Sequence, residues 1–190
     1  MSSVELTSLK AKHDAEIQKL TEQSGVDASK CYQCGKCSAG CPVAFAMDYM
    51  PREIIRMLQL GLIDEVLSSH TIWLCSDCIA CYTRCPRSVQ LPQLMDALRI
   101  RAREKNLAAE KNIGMFGDLL LGLIKRFGRI FEMGLIIAYN LKSRQPFKDV
   151  LLGPAILKRR KMGLLPHKIR SVDAVRKMFE RVKEMESDTP

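Results

Sequence analysis

CYQCGKCSAGCPV at residues 31–43 and CSDCIACYTRCPR at residues 75–87 carry all eight cysteines of this 190-residue chain. Each has the form C-x2-C-x2-C-x3-C-P, and every cysteine of the first array has a counterpart 44 residues further on. This is one metal-binding unit written twice. Thiolates are soft ligands, and a [4Fe–4S] core presents four iron corners that each need one. A C-x2-C-x2-C loop can wrap such a core and reach three corners. In runs of this form the fourth cysteine ligates the other cluster. The expected ligands are therefore Cys31, Cys34, Cys37 and Cys85 for one [4Fe–4S] cluster, and Cys75, Cys78, Cys81 and Cys41 for a second.

Zinc and disulfides are the competing uses of clustered cysteines. Zinc sites favour paired C-x2-C elements, often with histidine, but His13, His70 and His167 all lie outside the arrays. Disulfides cannot join most such close neighbours without strain. Small residues (Gly35, Ser38, Ala39, Gly40, Ser76, Ala80) let backbone N–H groups approach sulfur, which tunes a cluster's potential. Pro42 and Pro86 keep a helix from running through the ligands. Lys30 and Lys36 flank the first array while Asp77 lies inside the second. Equal exposure would make the Cys31 cluster the easier to reduce; plain solvated charge is the other reading.

Working outward, residues 3–24 read as an amphipathic helix, with Leu6, Leu9, His13, Ile17 and Leu20 on one stripe, a Ser2/Glu5 capping box and a stop at Gly25. It serves either as a docking arm or as packing on the chain's own core. Between the arrays, Pro51 opens a helix carried by Ile54, Ile55 and Leu58, and Leu62–Leu67 forms a shorter one. After the second array, Pro92 starts a helix with Leu94, Met95, Leu98 and Ala102. From residue 107 the text changes. Glycines interrupt an apolar segment over 114–139, a basic knot occupies Lys158–Lys161, and a last helix spans 171–186. The apolar segment is a partner surface or a local core; the knot is a solvated loop or a contact for an acidic partner, a membrane surface or nucleic acid. Interleaved aromatics that would favour nucleic acid are missing.

The fold class expected is mainly α, in three parts: an N-terminal helix over 1–25, a cluster-binding domain over 26–106 and a helical extension over 107–190. Hydrophobic residues make up 47% and charged residues 27%, ordinary for a globular chain that needs no staples. The N-terminus lacks the apolar core of a secretory signal, so a reducing cytoplasm is the expected compartment. Met115–Tyr139 contains Asp118, Lys125, Arg126, Arg129 and Glu132, so no transmembrane span is expected. The formal charge is +9. Two clusters, each about −2 with its thiolates, bring this to roughly +5.

The arrays and the helical text between them resemble the α-helical ferredoxin domain found in iron–sulfur subunits of succinate dehydrogenase and fumarate reductase. Those subunits also carry a plant-type [2Fe–2S] domain, whereas 30 residues precede Cys31 here. The strings CYQCGKCSAGCPV (31–43), WLCSDC (73–78) and VQLPQLM (89–95) are most similar to the iron–sulfur C subunit of heterodisulfide reductase. That resemblance implies a relay between two other heterodisulfide reductase-type subunits, the flavin and iron–sulfur one (the A type) and the catalytic one with CCG motifs (the B type), within a hetero-oligomer. This chain has no CCG motif, no G-x-G-x-x-G and no spare cysteine, so no catalytic residue is expected on it. Alternatives are an electron-transfer component of a quinone-linked or lactate- or glycolate-oxidising complex, and a metal-stabilised binding module without redox work.

Overall fold

The computed structural model describes residues 6–145, 163 and 165–187, with side chains described from 13 to 185 within that span. The Ser2/Glu5 capping box and the basic knot at 158–161 lie outside the described residues. Every regular element among the described residues is helical. The chain divides into two units, Met1–Glu110 and Lys111–Pro190.

The first unit begins with α1 (Leu6–Ser24). The first array contains α2 (Lys36–Ala39), followed by α3 (Pro51–Gln59), α4 (Ile63–Leu67) and α5 (Thr71–Leu74). The second array contains α6 (Ala80–Thr83) and leads into α7 (Leu91–Glu104). Helix α3 starts where its sequence says it should. Pro51 needs no N–H partner at the first position, and the Glu53 carboxylate accepts from Met50 N at 2.9 Å. Ile54, Ile55 and Leu58 then face inward and are almost fully buried.

Helix α7 is the central strut, packing against α1, α4, α5 and α6. It buries Leu91, Leu94, Met95, Leu98 and Ala102. Together with Ile54, Leu58, Ile63, Val66, Leu67 and Ile72 these make one continuous core. Burying each large aliphatic contributes ~1.5–3 kcal/mol, far more than four-residue helices could supply by propensity. Five cysteines, Cys31, Cys37, Cys75, Cys81 and Cys85, pack against this core. The arrays are thus seated on a hydrophobic floor.

Helix α1 is fastened to α7 by charge as well as by Leu20 and Ile17. Glu16 accepts from Arg101 Nε at 3.0 Å and from Lys105 Nζ at 2.5 Å. Lys105 also reaches Asp64 at 3.4 Å, and His13 Nε2 lies 3.8 Å from the same carboxylate.

In the second unit, α8 (Lys111–Phe127) runs through Gly114, Gly117 and Gly122 and packs on α9 (Glu132–Lys142) and α10 (Val172–Ser187). The helix ends at Gly128, whose φ of 76° is a left-handed turn. A Cβ there would run into Ile169, whose N–H donates to Phe127 O at 3.1 Å. Phe127, Leu135 and Val172 are buried, whereas Phe116 and Ile137 stay exposed.

Candidate metal centre

The two arrays fold alike. Gln33 and Asp77, 44 residues apart, both have positive φ (64° and 53°), as do Gly35 (78°) and Ile79 (54°) one step further on. These left-handed residues bend each C-x2-C-x2-C segment back on itself before a four-residue helix, α2 or α6. Ile79 is the surprise: a β-branched residue seldom adopts this backbone, and nothing in its sequence context announced it. Helices α2 and α6 pack against each other. Gly40 of the first array lies under Arg84 of the second, where a Cβ would collide with the guanidinium.

The entry to each array is held by one side chain from a distant helix. Gln59 Nε2 donates to Ala28 O and Cys31 O, both at 2.9 Å. Arg99 Nε donates to Ile72 O at 2.5 Å and its Nη2 to Cys75 O. The held carbonyls are again 44 residues apart. A third clamp joins the arrays: Asp48, just past Cys41, accepts from His70 N (2.8 Å), Thr71 N (2.8 Å) and Thr71 Oγ1 (2.5 Å), capping α5. That helix delivers Cys75.

Two cavities of similar size open on this framework, about 350 and 380 Å³ including their mouths. The first is lined by Cys31, Cys34, Cys37 and Cys85, with Arg52, Ile55 and Val89 on its walls. The second is lined by Cys75, Cys78, Cys81 and Cys41, with Val43, Met47, Asp77 and Met95. Each gathers three cysteines of one array and the last cysteine of the other, and the first meets Cys81 as well. Cys81 and Leu91 line both cavities, so the partition between them is one side chain thick. Four thiols converging from apolar walls fit a cubane iron–sulfur core in donor type and number.

Burial pushes the Cys37 and Cys75 thiols up, and lifts Cys81 to about 11 with the neighbouring Cys75 adding to it. Hydrogen bonds to sulfur work the other way: from the Ser38 hydroxyl and amide at Cys37, the Asp77 amide at Cys75 and the Tyr82 amide at Cys81. Val89 N donates to Cys85 Sγ at 3.3 Å. Without metal the buried thiols hold their protons, so metal uptake releases them.

Sequence reading named all eight cysteines but not Asp48, Gln59, Arg99, Gln33 or Arg52. Only the 44-residue repeat hinted at matched supports, and it could not say which side chains supply them.

Residues 27–89 match the family described as a 4Fe–4S dicluster domain. The chain is 40% identical over 97 residues to the iron–sulfur C subunit of the CoB–CoM heterodisulfide reductase of Methanopyrus kandleri, covering 50% of each chain. It is 35% identical over 106 residues to the C subunit of the H2:CoB–CoM heterodisulfide, ferredoxin reductase of Methanothermobacter marburgensis, covering 54% of this chain and 57% of the relative. With the C2 subunit of the H2/formate:CoB–CoM heterodisulfide, ferredoxin reductase of Methanococcus maripaludis it shares 41% identity over 90 residues, 47% of this chain and 45% of the other. The chain thus spans about half the length of the curated relatives it matches. Residues 27–89 match a dicluster domain, which supports two [4Fe–4S] clusters, and over the matched half the chain is similar to the iron–sulfur C subunits of heterodisulfide reductases.

Proposed function

We propose that this chain is the electron-relay component of a heterodisulfide reductase-type complex. Cys31, Cys34, Cys37 and Cys85 hold one cluster, and Cys75, Cys78, Cys81 and Cys41 hold the other. Its partners are a flavin and iron–sulfur protein and a catalytic protein with CCG motifs; the chain itself carries no catalytic residue. The observation that carries this reading is the pair of cavities, each lined by three cysteines of one array and the last cysteine of the other, with Cys81 shared between them.

When bound, each cluster accepts and returns one electron. The chain's own residues do the rest. The apolar walls (Ile55, Val89, Leu91, Met95) cover the inner side of each cavity, which limits solvent rearrangement there, while Cys34 and Cys78 stay exposed. Gln59 and Arg99 fix the backbone at the first ligand of each array, while Asp48 ties Cys41's loop to the helix that delivers Cys75. Since all eight cysteines are spent on ligation, none remains for thiol chemistry with a disulfide. No helix among the described residues is long and apolar enough to cross a membrane.

The test is anaerobic purification with an iron and sulfide count, EPR after reduction, and identification of the chains that co-purify. Two reducible clusters together with a flavin protein and a CCG protein are expected. Zinc with no reducible signal contradicts the cluster assignment; a quinone-linked partner in place of the CCG chain contradicts the assignment of complex.

A further inference from the structure

We infer that Gln33, Arg52 and Asp77 order the two reduction potentials, setting the cluster of the Cys31 cavity above that of the Cys75 cavity. Electrons then pass from the second cavity to the first. This rests on the crosswise ligand assignment proposed above.

The repeat makes the comparison unusually clean. Gln33 and Asp77 occupy the same place in the two arrays, 44 residues apart and in the same left-handed backbone. Their side chains differ in the one property that matters for reduction. Gln33 Nε2 donates to Cys31 Sγ at 3.6 Å. At the matching position Asp77 is a lining residue of the other cavity, and its carboxylate adds to the burial that pushes the Cys75 thiol up. Adding an electron adds negative charge, which an N–H donor stabilises and a carboxylate opposes.

Arg52 reinforces the difference. It is a lining residue of the Cys31 cavity, and its Nη1 would stand 3.5 Å from a Cβ built on Gly35 of the first array. The residue 44 positions later is Asp96, which does not line the second cavity. The second array has a cation of its own, Arg99, whose charge also acts on Cys75, but it is shared with Asp96 at 2.8 Å and its N–H groups are spent on carbonyls. Each site thus has a cation, but the first adds a side-chain amide donor and has no acidic residue in its lining, while the second adds a carboxylate. The internal step moves one electron, oxidising the second cluster as it reduces the first; no proton or ligand changes place.

The experiment is an EPR-monitored redox titration of the anaerobically reconstituted full chain, comparing wild type with Asp77→Asn and Gln33→Glu. Asparagine tolerates left-handed backbone as well as aspartate, so Asp77→Asn keeps the fold. It should raise the lower midpoint alone, by about tenfold in the reduction equilibrium, which is ~59 mV for one electron. Gln33→Glu should lower the upper midpoint alone by a similar factor. Two intact clusters with unmoved midpoints, or with the other midpoint moving in each variant, overturn the ordering and leave the ligand assignment standing. A wild-type chain that holds fewer than two clusters overturns the ligand assignment itself.

Discussion

Replacing Asp48 should weaken the first unit out of proportion to its place on the surface. Its carboxylate is the acceptor for Thr71 N and His70 N at 2.8 Å, for Thr71 Oγ1 at 2.5 Å and for Tyr49 N at 3.1 Å. Thr71 is fully buried, so in Asp48→Ala its N–H loses its partner where water does not reach. An orphaned buried donor costs ~1–3 kcal/mol, and loss of a helix cap costs ~0.5–2 kcal/mol. The Thr71 hydroxyl can turn its one proton to Tyr49 O at 2.6 Å and His70 is exposed, so both soften the loss. The sum is about 2–3 kcal/mol. At a urea dependence of ~1–3 kcal/mol/M the unfolding midpoint should fall by about 1 M. Asp48→Asn keeps one carbonyl acceptor for Thr71 but turns an N–H toward a second donor, so its loss should be about half as large. Anaerobic urea unfolding of the holoprotein, followed by far-UV circular dichroism, measures both. A midpoint shift under about 0.2 M in Asp48→Ala (~0.5 kcal/mol or less by the same dependence) would refute the idea that this carboxylate joins the arrays.

Other outcomes follow from the same clamps. At Glu16, burial works to raise the pKa, but hydrogen bonds from Lys105 and Arg101 outweigh it and hold the carboxyl below 4.5. Its contribution is therefore complete above pH 4.5 and fades as pH falls through the lower folded value. Hydrogen exchange of α1 amides should show the gap between wild type and Glu16→Gln narrowing only as pH falls below 4.5 and through the lower folded value; a constant gap contradicts this. Arg99→Lys cannot bridge Ile72 O and Cys75 O with one ammonium, so chelator should strip the Cys75-cavity cluster first, whereas Gln59→Ala should expose the other. Equal loss of both clusters in either variant argues against separate clamps. Gly128→Ala, forced into a left-handed backbone against Ile169, should cost about 1–3 kcal/mol. Thermal unfolding of the variant measures it, and an unchanged melting temperature would show that the turn relaxes.

The arrays were legible because a cluster demands a fixed ligand spacing and tolerates little else. The helices were legible where an apolar stripe met a strong start signal, as at Pro51 and Pro92, and each lies within the first two positions of its helix. What escaped was whatever depends on long-range polar pairing. Gln59, Arg99 and Asp48 are common surface residue types, and only their reach across 22 to 31 residues gives them a task. The glycines of α8 interrupt its apolar text without ending the helix. A single glycine costs a helix about 1 kcal/mol, which packing on α9 and α10 outweighs, so only Gly128 breaks the run.

The crosswise assignment is the centre of the account, and Cys85→Ala tests it most directly. EPR of the reduced variant, with the two signals assigned through Asp77→Asn, should show the cluster of Cys31, Cys34 and Cys37 lost or converted while the cluster of the second array persists. Selective loss of the cluster at Cys75, Cys78 and Cys81 would contradict it.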